Sequence, residues 1–198
     1  MYEFIQGRIA ELSPAHAVIE TAGGVGYYLS ISVQTYSLIG SASEAKLYTH
    51  FIVREDVQQL YGFFAREERE LFRLLIGVSG VGGNTARMIL SSFKPEELQA
   101  VIATGKAEVL KTVKGLGIKT AQKIIVELKD KVGSIGSNDV ALAAFGQATD
   151  SGHFEEALAA LTMLGFTRGA SEKALRQIIQ EEPGTTVEDL VRIALKRL

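Results

Sequence analysis

Two glycine-rich phrases in the middle of the sequence carry residue types that can bind an anion. The first is Gly80-Val81-Gly82-Gly83-Asn84-Thr85, and the second is Gly115-Leu116-Gly117-Ile118-Lys119-Thr120. Each follows an apolar, helix-like run and is followed by an alanine that begins another such run, which predicts two helices joined by a tight hairpin. Glycine enters φ > 0 freely and, because it lacks a Cβ, lets a phosphate come close to the backbone. The amides of the hairpin and of the next helix then point outward together and form a nest for an anion.

The two phrases are copies of one pattern. Every matched position lies 35 residues apart, from Leu75 and Leu110 through to Ile89 and Ile124. One Gly-Val-Gly alone is most simply a turn between helices, whereas two copies in register, each with Thr-Ala after the glycines, indicate a repeated module. The apolar residue between the glycines of each copy is expected to plug back into the two-helix core.

This repeated phrase resembles the helix-hairpin-helix module, which grips the DNA backbone without reading the base sequence. The resemblance implies that the hairpins and the lysines beside them contact DNA. The predicted DNA-binding residues are Gly80, Val81, Gly82, Gly83, Asn84, Thr85, Lys114, Gly115, Leu116, Gly117, Ile118, Lys119, Thr120 and Lys123.

Charge is unevenly distributed along a chain whose formal net charge is −2. Residues 65–132, which hold both hairpins, carry a net charge of +4, while residues 1–64 and 133–198 each carry −3. Localised positive charge lets a protein touch phosphates on one face and repel them elsewhere. The sequence therefore favours a nucleic-acid interface in the central third and argues against a generally basic, DNA-coating protein.

The sequence contains no recognisable motif for a catalytic centre, a cofactor or a metal. The nearest stretch to a phosphate loop, residues 117–120, has an isoleucine between its glycine and its lysine. His16, His50 and His153 are scattered and there is no cysteine, so neither a zinc site nor a Ser-His-Asp arrangement is visible. No apolar run reaches the roughly 18 residues that a membrane helix needs, and the N-terminus lacks the basic start of a signal peptide. We therefore expect a cytoplasmic protein that is not an enzyme.

Residues 1–64 predict a set of β-strands. Alternate positions of one segment are apolar in a clean period of two, which indicates a strand with one buried face: Val25, Tyr27, Leu29, Ile31 and Val33. Other strands are predicted over Tyr2–Leu12, around Ala17–Thr21, and as a hairpin of Leu47–Val53 with Val57–Phe63. Five strands without a long helix predict a small barrel of the OB type.

The tip of the last predicted hairpin is Arg54-Glu55-Asp56. A solvated turn is the simplest interpretation of these residues. A pair of carboxylates also suggests acid–base chemistry or a metal site, but no third carboxylate or histidine lies nearby in sequence to complete one.

The final third predicts a linker followed by a helical bundle. Residues 133–152 are rich in glycine, serine and alanine, which is typical of a flexible linker. Residues 153–198 contain three amphipathic patterns, at about Phe154–Leu164, Arg168–Glu181 and Val187–Leu198, with Thr186 as an N-cap three residues before Asp189. A loosely tethered acidic bundle suggests a protein-binding module, and the alternative is an accessory bundle packed against the rest of the chain.

The whole order of segments resembles the RuvA family of Holliday-junction-binding subunits. The resemblance rests on the opening Tyr2–Gly7, the tip Arg54–Asp56, Tyr61–Phe63, the two hairpins and the linker with its bundle. It covers essentially all 198 residues. Its ordered combination is specific, although no single motif would be.

This resemblance implies a function for each part. It implies a homotetramer, single or as two facing tetramers, that holds a four-way DNA junction open on its basic face. Glu55 and Asp56 match the family's acidic pin, which repels phosphates near the crossover. Residues 153–198 would bind the partner ATPase RuvB, which drives branch migration, and the nuclease RuvC would act on the same junction.

The chain departs from the family pattern in both hairpins, and two alternative functions stay open. The family often carries Pro-Lys where this chain has Gly83-Asn84, and a second basic residue where this chain has Ile118 before Lys119. We therefore expect the first hairpin, which has no cation, to hold DNA less strongly than the second. The first alternative is a helix-hairpin-helix nuclease or glycosylase, which would need a carboxylate cluster or a catalytic Lys or Asp after the hairpin. The second is a structural oligomer whose hairpins make subunit contacts.

Overall fold

The computed structural model describes residues 2–135 and 150–198 and divides the chain into two compact units, Met1–Gly136 and Ser137–Leu198. Most of the predicted linker, residues 136–149, lies outside the described residues. Regular structure comes closer to that gap on both sides than the sequence predicts. A short 3₁₀ helix spans Val132–Ser134, and the next helix begins at Asp150.

A closed five-stranded barrel forms the first part of the larger unit. Its strands are β1 (Phe4–Ser13), β2 (His16–Glu20), β3 (Gly26–Ile31), β4 (Glu44–Val53) and β5 (Gln58–Phe63). They pair in the order β1-β2-β3-β5-β4, with β3 and β5 parallel and the other pairs antiparallel. The predicted OB-type barrel is therefore confirmed. Its antiparallel β4–β5 hairpin carries residues 54–57 at its end.

The predicted alternation in β3 is correct at its centre and fails at both ends. Leu29 and Ile31 are buried, as the period of two requires. Val25 and Val33 are half exposed and lie outside the strand. Val33 instead begins a short helix, α1 (Val33–Ile39), because the hydroxyl of Ser32 accepts a hydrogen bond from the amide of Thr35 at 3.0 Å and caps it.

The helical part of the larger unit contains both hairpins. Its helices are α2 (Arg66–Gly77), α3 (Gly83–Ser92), α4 (Pro95–Ala103), α5 (Ala107–Leu110) and α6 (Ile118–Leu128). The first hairpin joins α2 to α3 and the second joins α5 to α6. The leading helix of the second copy is only four residues long, so the repeat is less symmetric than the sequence pattern suggests. One apolar core runs through both copies and reaches the barrel at Tyr61 and Phe63.

A buried carboxylate joins the barrel to the helical part. Glu68, in the first turn of α2, accepts hydrogen bonds from the hydroxyls of Ser32 and Thr35, and the Thr35 oxygen in turn accepts from the amide of Phe64 at 3.0 Å. Only 3% of Glu68 is exposed. Burial disfavours the charged form and raises the pKa of Glu68, while the two hydroxyl donors act in the opposite direction.

This network predicts a pH-dependent stability. Because the folded-state pKa of Glu68 is raised, its contribution is complete at acid pH and is lost as the pH rises from the unfolded value through the folded one. Glu68→Gln keeps the shape without a charge, so the free energy of unfolding should fall less with rising pH than in the wild type. Denaturant unfolding at several pH values measures this, with Glu67→Gln as the neighbouring control. Identical pH profiles for wild type and Glu68→Gln would contradict it.

The described part of the smaller unit, residues 150–198, is a three-helix bundle, as predicted. Its helices are α7 (Asp150–Met163), α8 (Arg168–Glu181) and α9 (Val187–Arg197), packed around a separate apolar core. The hydroxyl of Thr186 accepts a hydrogen bond from the amide of Asp189 at 3.3 Å, so the predicted N-cap is present. Because the bundle has its own core, we expect it to fold independently.

Candidate nucleic-acid interface

The two hairpins have the same backbone geometry. In the first, the amide of Val81 donates to the carbonyl of Val78 at 3.0 Å, and in the second the amide of Leu116 donates to the carbonyl of Val113 at 3.0 Å. Val81 and Leu116 are each only 5% exposed. The apolar residue between the glycines therefore plugs into the core in both copies, as predicted. This plug fixes the turn and leaves its backbone at the surface.

Only the first glycine of each hairpin needs the left-handed backbone. Gly80 has φ +90° and Gly115 has φ +85°, a region that side chains with a Cβ rarely adopt. The second glycines are different, because Gly82 has φ −87° and Gly117 has φ −75°, values open to most residues. The expectation that glycine is needed for φ > 0 is thus correct at the first position of each pair and wrong at the second.

The second glycine of each pair is the N-cap of the following helix and leaves that helix end open. No side chain caps α3 or α6, and neither helix has an acidic residue in its first turn. Helix α4, which lies between them in sequence, has Glu96 and Glu97 there. A helix N-terminus carries partial positive charge and free amides, which favour an anion. The two helices that follow the hairpins therefore keep their amides available to a phosphate.

Most of the predicted DNA-binding residues lie at the surface around these two helix starts. Exposed members are Gly80, Asn84, Lys114, Gly115, Gly117, Lys119 and Lys123. Partly exposed members are Gly82, Gly83, Thr85, Ile118 and Thr120. The side chains of Val81 and Leu116 are buried, so they support the hairpins from within, and only their backbone could meet DNA. Positive side chains occur only beside the second hairpin in this set.

The first hairpin is fastened to the barrel. A Cβ on Gly83 would lie 2.4 Å from the hydroxyl oxygen of Tyr61, so glycine is needed here for close packing. Further along α3, the guanidinium of Arg87 donates to the carbonyl oxygens of Ala15 at 2.9 Å and Ile31 at 3.3 Å. These contacts hold α3 in a fixed place relative to the β4–β5 hairpin.

The acidic tip lies beside the first hairpin. The amide of Arg54 donates to the carbonyl of Val57 at 2.8 Å and closes the turn around Glu55 and Asp56, whose side chains are exposed. A cleft of about 260 Å³ separates the tip from Gly82–Thr85. It is lined on the barrel side by Ile52, Arg54, Asp56, Val57, Gln59 and Tyr61. Sequence reasoning did not place Arg54, Gln59 or Tyr61 in the interface, because they meet the hairpin only through the fold.

A serine–histidine–glutamate chain at the β1–β2 turn was not foreseen. The hydroxyl of Ser13 lies 2.7 Å from Nδ1 of His16, and Nε2 of His16 lies 2.8 Å from Glu11. The same hydroxyl accepts hydrogen bonds from the amides of Ala15 and His16, at 3.3 and 3.2 Å, so it is an element of the turn. The acid is a glutamate and not the aspartate of a Ser-His-Asp arrangement, and the two amide hydrogen bonds of the Ser13 hydroxyl give the chain a structural role in the turn.

Neither a metal site nor a membrane span occurs in the part of the chain that the structure describes. In residues 2–135 and 150–198, no three or more histidine, cysteine, aspartate or glutamate side chains come together as a metal site. Within the same ranges, no helix is both long and apolar enough to span a membrane.

Gly115 and Gly117 differ in φ, so a substitution at each position tests a different property of the second hairpin. Gly115→Val forces a β-branched residue into φ +85° and should destabilise the fold by about 1–3 kcal/mol. Gly117→Val meets no atom within 4 Å and has an ordinary φ, so it should destabilise the fold only by the roughly 1 kcal/mol of a poorer N-cap, and it should still lose DNA affinity because the side chain blocks a phosphate. Thermal unfolding and DNA binding of both variants check this. Wild-type binding by a normally folded Gly117→Val would exclude the second hairpin as a DNA contact.

An OB-type barrel joined to a tandem helix-hairpin-helix domain defines the class of this protein. Residues 1–62 match the family described as RuvA N terminal domain, residues 72–130 match the SAM-like helix-hairpin-helix tandem, and residues 152–198 match the RuvA C-terminal domain. The chain is 54% identical over 202 residues to the Holliday junction branch migration complex subunit RuvA of Bacteroides fragilis, covering 100% of both chains. Subunits of the same name from Bacteroides thetaiotaomicron and Porphyromonas gingivalis are 52% and 45% identical, again over 100% of both chains. The chain belongs to the RuvA family.

Proposed function

We propose that this protein binds four-way DNA junctions through phosphate contacts of its two hairpins and takes part in branch migration. The observation that carries the proposal is the paired geometry of the hairpins, each of which leaves an uncapped helix start without acidic residues at the surface. The names of the relatives, which are Holliday junction branch migration complex subunits, support the same function. Amides and lysines that contact phosphates do not distinguish one base from another, so the binding is independent of the DNA sequence.

The assembly is part of the proposal. We propose a homotetramer that places four acidic tips around the crossover, alone or facing a second tetramer. The four segments act as a barrel with its tip (1–64), a hairpin domain (65–132), a linker (133–152) and a partner-binding bundle (153–198). The ATPase activity resides in the partner RuvB, and the nuclease RuvC acts on the same junction in the cytoplasm.

The bundle presents an apolar surface that suits a protein partner. Met163 is 89% exposed and the adjacent Leu164 is 59% exposed, at the end of α7. Leu195 and Leu198, at the end of the chain, are also exposed. A contiguous exposed apolar patch marks an interaction site in soluble proteins, and Met163 and Leu164 would form part of such a patch. We propose that RuvB docks on this bundle.

Salt titration tests the proposed mode of DNA binding. Several phosphate contacts per subunit should give a log–log slope of affinity against salt of several units, since each contact contributes about 0.9. The affinity for a four-way junction should therefore fall steeply between low and physiological salt, and equally for two junctions of unrelated sequence. An affinity that is unchanged by salt, or that differs strongly between the two sequences, would contradict the proposal. Cleavage of the junction would instead favour the nuclease alternative.

A further inference from the structure

The two hairpins differ in charge although they share one backbone geometry. With the constant offset of 35 residues, Lys119 corresponds to Asn84. The other lysines of the second hairpin, Lys114 and Lys123, correspond to Ser79 and Met88. The second copy therefore has three cations at positions where the first copy has none. A phosphate at the first hairpin would meet amides and one amide side chain, with no positive charge from these positions of the repeat.

The cleft beside the first hairpin contains a cation from another element. Arg54 of the β4–β5 hairpin lines it on one side, opposite Gly82, Gly83 and Asn84. Arg54 directly follows β4 and lies 30 residues before Asn84 in sequence, so the fold alone brings the two together. We propose that Arg54 supplies the first hairpin with the phosphate-binding cation that Lys119 supplies to the second. This inference rests on the proposed function of the hairpins.

The guanidinium of Arg54 is exposed and available for a ligand. Within residues 2–135 and 150–198 it makes no side-chain hydrogen bond or ion pair, although Glu55 and Asp56 follow it directly. A guanidinium offers a planar fork of donors that fits two phosphate oxygens at once. An unpaired guanidinium beside free helix amides gives an anion both charge and directed hydrogen bonds.

The charge of Arg54 acts on the floor of the cleft. Burial raises the pKa of Tyr61, and the positive charges of Arg87 and Arg54 oppose this rise. The Tyr61 hydroxyl abuts Gly83, so the field of Arg54 reaches the residue that begins α3. Arg87 does not line the cleft and already donates to two barrel carbonyl groups. Among the described lining residues of the cleft, Arg54 is the one cation.

The cleft also contains one opposing charge. Asp56 lines the same side as Arg54. The β4–β5 hairpin therefore combines an attractive guanidinium with repulsive carboxylates on neighbouring residues. In this arrangement Arg54 holds a phosphate against the first hairpin, while Glu55 and Asp56 keep other phosphates away from the tip.

The experiment measures junction affinity and its salt slope for full-length variants. Arg54→Ala should weaken binding roughly tenfold, as expected when a charge-assisted hydrogen bond is removed, and lower the slope by about 0.9 for each phosphate that is no longer neutralised. Asn84→Lys, which restores the lysine of the second copy, should rescue both quantities in the Arg54→Ala background. Arg8→Ala is the control, since Arg8 lies opposite Glu44 in the β1–β4 strand register, at the start of β4 and about nine strand residues or roughly 30 Å from the tip. It should leave both quantities unchanged.

A second background separates phosphate binding from simple screening of the acidic tip. If Arg54 only offset Glu55 and Asp56, Arg54→Ala would cost nothing in a Glu55→Gln/Asp56→Asn protein, and the proposal would be overturned. It would equally be overturned if Arg54→Ala kept the wild-type salt slope. If Lys119→Ala lowers the slope while Arg54→Ala does not, this inference fails and the proposed function stands. If the wild-type protein shows no salt-dependent junction binding, the proposed function itself is contradicted.

Discussion

Neutralising the acidic tip should make the protein bind duplex DNA more tightly while reducing its preference for a four-way junction. Glu55→Gln with Asp56→Asn removes two negative charges per subunit at almost constant shape. Both side chains are exposed, and among the described residues neither forms an ion pair that would already offset its charge. Their repulsion of phosphate is therefore available in full.

The size of the effect follows from the number of charges at the crossover. Two unit charges about 10 Å apart in water interact by roughly 0.4 kcal/mol. At physiological salt the Debye length of about 8 Å reduces each interaction to roughly 0.1 kcal/mol. In the proposed tetramer eight carboxylates surround one crossover, so the total is about 1 kcal/mol and the change in duplex affinity about fivefold. The repulsion lowers the affinity for a duplex that runs continuously across the centre of the tetramer. It has less effect on a junction, because the strands of a junction separate at that point.

Affinities for both DNAs at one fixed salt concentration measure this effect. The control is Glu44→Gln, at the opposite end of β4 from the tip, which should leave both affinities unchanged. Unchanged affinities in the double variant would identify the tip as a solvated turn. Weaker binding to both DNAs would exclude a repulsive pin.

Removal of the bundle should abolish stimulation of the RuvB ATPase and leave junction binding intact. The truncation should end after Gly136, because Val132 is buried in the hairpin-domain core and Ile135 packs against it. A truncation after residue 132, at the predicted start of the linker, would remove the packing of Ile135. The two compact units each have their own core, so the shortened protein should fold.

ATPase rate and junction affinity, measured in the same preparation, check this prediction. Leu164→Ser in the full-length chain is the finer version, since this exposed side chain is not part of the bundle core. Leu164→Ser should reduce stimulation of the RuvB ATPase without unfolding the bundle. A truncated protein that still supports ATP-driven branch migration would show that the bundle is not the docking site.

Features set by local sequence could be predicted. The constant offset revealed both hairpins, because each copy must bury the same apolar positions and turn at the same glycine. Helix α8 (Arg168–Glu181) has the bounds that its periodicity predicts, since Gly165 and the segment 182–184 punctuate it on both sides. The barrel followed from the count of strand-like segments and the absence of a long helix among them.

Features set by tertiary contacts could not be predicted. Val81 has a glycine on each side, and only the fold decides that Gly80 takes φ > 0 while Gly82 does not. The cleft joins Arg54 to Asn84 across elements that share no sequence pattern. Glu68 looks in sequence like any acidic residue in a first helical turn, yet the fold buries it against α1.

Junction recognition is tested most directly by a competition between a labelled four-way junction and a duplex with the same number of phosphates, at physiological salt and with the wild-type protein. Equal phosphate content cancels the general electrostatic attraction, so any difference reports the arrangement of hairpins and tips. We expect the junction to bind at least about tenfold more tightly, or roughly 1.4 kcal/mol, and to remain uncleaved. Equal affinity for the two DNAs would contradict the proposed function.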